Sequence, residues 1–348
     1  MANSLPRGTI VVTGAAGGLG CCIAAEISSS PQLGANHYGL YAVRNPSRTT
    51  SLINSLNQTR SYSSHVYDIV SLDLESLDSV RALATDINNR VAKGDIPRIR
   101  ALVLNAGYLE LGTQSWLENG LDATWAVNYL SQWLLTLLLL QSIDREKGRT
   151  YLSNPYDDFN KGSQGGQYDD EKWKTMLSGG IEQIATGNWS PCGEGNPVHA
   201  GLRRYGAAKL CLAMMIGELQ ERLDRDPLLN RVAILGCDPG WMAASISRRH
   251  QMYPFMRIVM PWVAGFLSWL QPHGMYRTPA RSAKDVMAVA IDMSQTDGGN
   301  LKGVYFKGAV RAEVSAEAQD FGKRKMGWKG SVGYAGLQHG ETLLQHWT

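Results

Sequence analysis

An apolar run that ends in a glycine-rich turn and passes at once into helical spacing does most to limit what this chain can become. Residues 8–20 read GTIVVTGAAGGLG. The run GTIVVT has too few polar side chains to leave one face in water, so it is predicted as a strand buried on both faces, as in a parallel sheet covered by helices. Leu19, Ile23 and Ile27 then recur at helical spacing. Strand, turn and helix in that order make half a βαβ unit, and the alternation continues along the chain. HYGLYAVR (37–44), SHVYDIVSLDL (64–74) and RIRALVLNAG (98–107) read as strands two to four. SLDSVRALATDINNRVA (76–92) is predicted as an amphipathic helix opened by a serine cap. Long helices are expected at 114–141 and 203–225, with RVAILGCDPG (231–240) as strand six. A helix near 281–294, capped around Thr278-Pro279, and the strand GVYF (303–306) complete the pattern.

The expected fold class is therefore α/β: a Rossmann-like, doubly wound parallel sheet flanked by helices. All 348 residues are assigned to one domain, with an insertion at about 155–204, a substrate lid at about 241–275 and a C-terminal extension from about 308. A hydrophobic content of 44% and a charged content of 19% are those of a soluble globular chain. The formal charge of +3 gives no argument for nucleic acid or an anionic membrane as a partner. Five cysteines with no C-x-x-C pair favour a reduced, cytoplasmic setting over disulfides or zinc. WLLTLLLL (133–140) and IVMPWVAGFLSWL (258–270) are both too short to span a bilayer. The first reads as a buried helix and the second as a pocket wall.

The turn after the first strand offers Gly14, Gly18, Leu19 and Gly20 as candidate cofactor-binding residues. Small residues there let the backbone approach a pyrophosphate, and the following helix N-terminus attracts its charge. At the end of strand two the chain reads VRNPSR, where an NAD-binding protein often offers an acid to the ribose. Arg44, with Arg48 as a second candidate, suits a 2′-phosphate, so NADP(H) is the expected cofactor. Tyr205 and Lys209, in YGAAK, are four apart and share one helix face. A free tyrosine has a pKa of ~10, and a neighbouring ammonium stabilises its tyrosinate and brings it toward acid–base use near neutrality.

Gly14, Gly18 and Gly20, Asp73, NAG at 105–107, Asn128, YGAAK at 205–209 and PG at 239–240 occur in an order that resembles the short-chain dehydrogenase/reductase family. The likeness covers about residues 8–310. The tail, WKGSVGYAGLQHGETLLQHW, is similar to a fungal branch active in secondary metabolism. The resemblance implies that Asp73 contacts the adenine and Asn105 lies near the ribose. It implies that Asn128 supports a water relaying protons to Lys209, and that Pro239 and Gly240 turn the chain past the nicotinamide. It also implies that Tyr205, Lys209 and a serine carry the chemistry, and that Tyr205 and Lys209 border the bound cofactor, the lysine holding the nicotinamide ribose. PGWMAAS has alanines where relatives place a threonine, and Ser245 stands one position along.

The serine is the difficult point. GRTYLSNPYDD (148–158) passes from Gly-Arg to a turn with little room for the central fifth strand that the resemblance requires. The expectation is a shortened central strand five at Thr150–Ser153 with Ser153 as the catalytic serine; the alternatives are that the role is vacant, or that the chain is an incomplete version of an active relative. The expected activity is that of an NADPH-dependent carbonyl reductase, or the reverse alcohol dehydrogenase, on a medium-sized apolar substrate. Trp241, Trp262 and Trp269 would line its lid. A non-redox protein on the same scaffold, such as a cyclase, isomerase, dehydratase or binding remnant, stays open. So do the homodimer and the monomer.

Overall fold

The computed structural model describes residues 6–58, 65–153, 167–240, 277–292 and 301–348. The expected lid at 241–275, with Ser245 and the three tryptophans, lies outside them, as does part of the expected insertion. Eight strands form one sheet: β1 (Gly8–Thr13), β2 (His37–Val43), β3 (Tyr67–Ser71), β4 (Ile99–Leu104), β5 (Arg149–Ser153), β6 (Ala233–Asp238), β7 (Val304–Lys307) and β8 (Val310–Ala312). Their order is β3-β2-β1-β4-β5-β6-β7-β8. Every pairing is parallel except β7 with β8. The reversal from β1 outward to β3 on one side and β4 on the other creates the crevice at which α/β sheets bind ligands.

Side chains alternate across the sheet, so each face has its own core. Val11, Leu40 and Leu102 join the helices Leu77–Lys93, 123–139 and Pro197–Arg225 on one side. Ile10, Val12, Tyr41, Ala101 and Val103 join Gly18–Ser29 and Pro279–Met287 on the other. A strand buried on both faces cannot show polar alternation, which is why the strands read as continuous apolar runs.

The expected shortening of strand five is not confirmed. β5 has five residues, an ordinary strand length. It pairs from Ala101↔Arg149 to Leu104↔Leu152 on one side and from Arg149↔Ala233 to Ser153↔Cys237 on the other. The approach to it is pinned before the strand begins. Ile99 N donates to Ser142 O at 2.9 Å, and Asp144 N donates to Ile99 O at 2.8 Å. A Cβ on Gly148 would fall 2.3 Å from Asp144 O, so only glycine passes this bend. A tight entry thus spares the residues that a longer loop would take.

Two helix boundaries differ from expectation. The helix expected from 114 begins at Ala123, because Gly120 turns the chain at φ +79° and the Asp122 carboxylate accepts from Trp125 N as the cap. The helix expected from 203 starts at Pro197, where Asn196 accepts from the amides of Val198 and His199. The short antiparallel β8 was unforeseen; Gly308, at φ +63°, makes the turn into it. Among the described residues no helix is long and apolar enough to cross a membrane.

Candidate active site

The turns after β1 and β4 lie against each other at the carboxyl edge of the sheet. Gly14 takes φ +63°, and a Cβ there would sit 2.8 Å from Ala106 Cα. Asn105 Nδ2 donates to Thr13 O at 3.0 Å and to Gly14 O at 3.3 Å, and Ala106 N donates to Thr13 Oγ1 at 3.0 Å. Gly20 packs the incoming helix onto the same turn, where a Cβ would meet Gly14 O at 2.3 Å. The helix Gly18–Ser29 has Gly17 as its cap, no capping side chain and no acid in its first turn. A glycine cap and an acid-free first turn suit a dinucleotide's pyrophosphate at this helix start. Gly14→Ala combines a left-handed backbone with a clash against the backbone. It is expected to destabilise the protein by about 1–3 kcal/mol, read as a lowered midpoint in denaturant melts.

At the end of β2, Arg44 is more than half exposed. Its Nη2 lies 2.8 Å from Glu75 Oε2 and its Nε 3.5 Å from Asp73 Oδ2. Asp73 also accepts from Glu75 N at 3.1 Å, so the three residues form one cluster. Exposed ion pairs are worth at most about 1 kcal/mol, so this arginine is open to a stronger anion. Arg48 is exposed at the end of the turn Pro46–Arg48.

Tyr205 and Lys209 are both buried on the helix Pro197–Arg225, and Lys209 Nζ stands 5.4 Å from the Tyr205 ring centroid. Burial brings the lysine down from the usual 10.5 to about 7. Burial, and then the charge of Asp238, pushes the phenol well above its ordinary value of 10. The Tyr205 hydroxyl finds no hydrogen-bond partner among the described residues. A buried polar group of this kind calls for an explanation, and a site that receives a ligand oxygen provides one.

Asn128 belongs to the π-turn Ala126–Leu130 inside the long helix, a distortion frequent at functional sites. Its Nδ2 donates to Tyr108 O at 2.6 Å and Thr124 O at 2.7 Å, while its Oδ1 accepts from Tyr108 N at 3.0 Å. Asn128 and Lys209 converge on Gly107: a Cβ there would lie 3.4 Å from Asn128 Oδ1 and 4.0 Å from Lys209 Nζ. Ser153 ends β5 in register with Cys237. Just beyond Cys237, Pro239 O accepts from Ser282 Oγ at 2.6 Å and Gly240 turns the chain at φ +80°. The structure thus gathers Gly14, Asn105, Asn128, Lys209 and Tyr205 around the ends of β1, β4 and β6, with Arg44 and Asp73 on the flank.

Three contributors had no motif to reveal them. Thr13 and Gln132 brace the β4 turn, Gln132 Nε2 donating to Ala106 O at 2.8 Å. Asp238 is buried, and its Oδ1 accepts from Gly240 N at 2.8 Å. Only this last had a signal, a carboxylate closing the apolar run AILGC.

A parallel sheet with a glycine turn and a buried Tyr–Lys pair beyond its strand ends is a Rossmann-like arrangement. A family model described as short chain dehydrogenase matches residues 8–150. Short-chain dehydrogenase iccH of Talaromyces variabilis is 41% identical, the match covering 98% of this chain and 99% of that protein. The chain belongs to the short-chain dehydrogenase/reductase family. Two solved structures share the fold. The angucycline C-6 ketoreductase LanV with bound NADP has a TM-score of 0.55 at 19% identity, over 88% of this chain and 95% of that one. The NADPH-bound carbonyl reductase from chicken fatty liver has a TM-score of 0.53 at 14% identity, over 90% and 96%.

Proposed function

We propose that this protein is a cytoplasmic NADPH-dependent carbonyl reductase, or the reverse alcohol dehydrogenase, acting on a medium-sized apolar substrate of fungal secondary metabolism. The observation that carries the reading is the unpartnered, buried Tyr205 hydroxyl beside Lys209. A substrate carbonyl oxygen supplies the partner that this hydroxyl lacks, and the hydroxyl supplies the proton which the reduced oxygen needs. The apolar surroundings oppose the tyrosinate that this transfer leaves behind. Lys209 offsets that cost when it holds a proton, and its value of about 7 lets it gain or lose one near neutrality. Asn128 Oδ1 accepts one bond where two are available, so it can take a second from a water that leads to Lys209. Ser153, at the end of β5, steadies the substrate oxygen.

NADPH supplies the hydride when bound. Gly14, Gly18, Leu19 and Gly20 would carry its pyrophosphate, Asn105 the ribose side, Asp73 the adenine, Arg44 the 2′-phosphate, and Pro239 and Gly240 the nicotinamide end. The insertion at 155–204 and the lid at 241–275 would wall the substrate within a single domain. Arg44→Ala is expected to weaken NADPH binding roughly 10–100-fold, the loss of charge-assisted bonds, and to leave NADH unchanged. Fluorescence titration of both nucleotides reads this difference, and an equal loss for the two removes Arg44 from the phosphate site. The activity is tested by following NADPH absorbance with a panel of aliphatic and polyketide-like ketones. Tight NADPH binding with no oxidation across the panel would favour the non-redox scaffold instead.

A further inference from the structure

The residue before Tyr205 has no part in the chemistry above, yet it is among the most constrained in the protein. Arg204 is 3% exposed and Asp122 1% exposed, with Arg204 Nε 3.3 Å from Asp122 Oδ2. Arg204 Nη1 also donates to Ser190 O at 2.8 Å, and Nη2 to Thr113 O at 2.6 Å. Asp122 is equally committed. Its Oδ1 accepts from Trp125 N at 3.1 Å, capping the helix that carries Asn128, and its Oδ2 accepts from Gln114 Nε2 at 3.1 Å. Asp122 N donates to Ala185 O at 2.8 Å. A Cβ on Gly187 would lie 2.6 Å from Asp122 Oδ2, so the segment leading to Ser190 is pressed onto the pair.

We propose that Arg204 and Asp122 are a positioning pair for the reductase reaction. The pair joins the helix bearing Tyr205 and Lys209 to the first turn of the helix bearing Asn128. It also holds the Thr113 and Ser190 segments against both helices. Three groups that must meet one substrate oxygen and one water thus derive their spacing from a single guanidinium. This rests on the reading of Tyr205 and Lys209 given above. Stability is a poor reason for such a pair, since well-packed apolar residues commonly replace a buried ion pair without loss. Fixed geometry is a better one, because small misplacements of reacting groups lower rates steeply. Burial raises the Asp122 carboxyl even with Arg204 beside it, so the position is held against its solvation preference.

The test uses Arg204→Lys, which keeps the charge but loses the forked contacts, and the double variant Arg204→Met/Asp122→Leu, which removes both charges together. Both are expected to bind NADPH as the wild type does and to lose at least roughly tenfold in kcat with little change in KM. A second readout needs no substrate. The difference spectrum between each protein and its Tyr205→Phe counterpart follows the Tyr205 phenol through an alkaline titration, and its midpoint is expected to move in both Arg204 variants. Wild-type kcat and an unmoved midpoint in a folded variant overturn the proposal, as does a kcat loss that merely tracks the folded fraction. Should the wild type reduce no ketone, the activity reading fails while the titration still decides whether the pair sets the environment of Tyr205.

Discussion

Replacing Tyr205 with phenylalanine is expected to lower kcat roughly 10²–10⁴-fold, the range associated with a positioned proton donor. The same change is expected to leave the melting midpoint unchanged or slightly raised. A buried tyrosine normally donates to a neighbour, and deleting its hydroxyl then strands the acceptor at a cost of about 1–3 kcal/mol. Here the hydroxyl has no such neighbour among the described residues, so its removal strands nothing and relieves a desolvated polar atom. NADPH affinity should also persist, because the glycine turn and Arg44 lie at the other ends of the cofactor crevice. Steady-state NADPH oxidation, thermal melts and nucleotide titration on the one variant check all three. Retained turnover in Tyr205→Phe would remove the phenol from the chemistry; a marked drop in melting midpoint would give the hydroxyl a structural role instead.

Lys209→Met is expected to abolish most of the turnover and, in the nucleotide-free protein, to change how stability depends on pH. Burial lowers the folded-state lysine to about 7, against 10.5 for the exposed side chain. Between these values the unfolded chain holds a proton that the folded chain does not. Stability therefore rises with pH across this window, is fully present above about 10.5, and is lost as pH falls toward about 7. Methionine has no proton to exchange, so the variant should lack this rise and should be the more stable protein at pH 7. Melts of both proteins at intervals from pH 7 to 10 measure the difference, other titrating groups being common to the pair. Identical pH slopes would show that Lys209 keeps its ordinary affinity for a proton. Kinetically the loss should resemble that of Tyr205→Phe, because an ammonium beside the phenol is what offsets its burial.

Much of this was legible in the residues. The strands announced themselves as apolar runs, because a parallel sheet covered on both faces tolerates little else. Glycine at 14 and 20 was equally readable, since turns that pack on backbone exclude a side chain. The two helix starts that lie elsewhere than expected carry their own local signals: Asn119-Gly120 with Asp122, and Asn196 with Pro197. Strand five is less legible for another reason. Its neighbours and the tight bend at Gly148 supply the order that a four-residue fragment alone does not declare.

The amino-acid order by itself determined the first four strands and the sixth and seventh, and the placing of Tyr205 and Lys209 on one helix face, because periodicity and spacing act over one or two turns of chain. Only the tertiary structure decided how these groups are charged and held. The depressed lysine, the unpartnered phenol and the ion pair between Arg204 and Asp122 depend on residues far apart in sequence and on exclusion of water. Desolvation belongs to the assembled interior, and no local pattern encodes it.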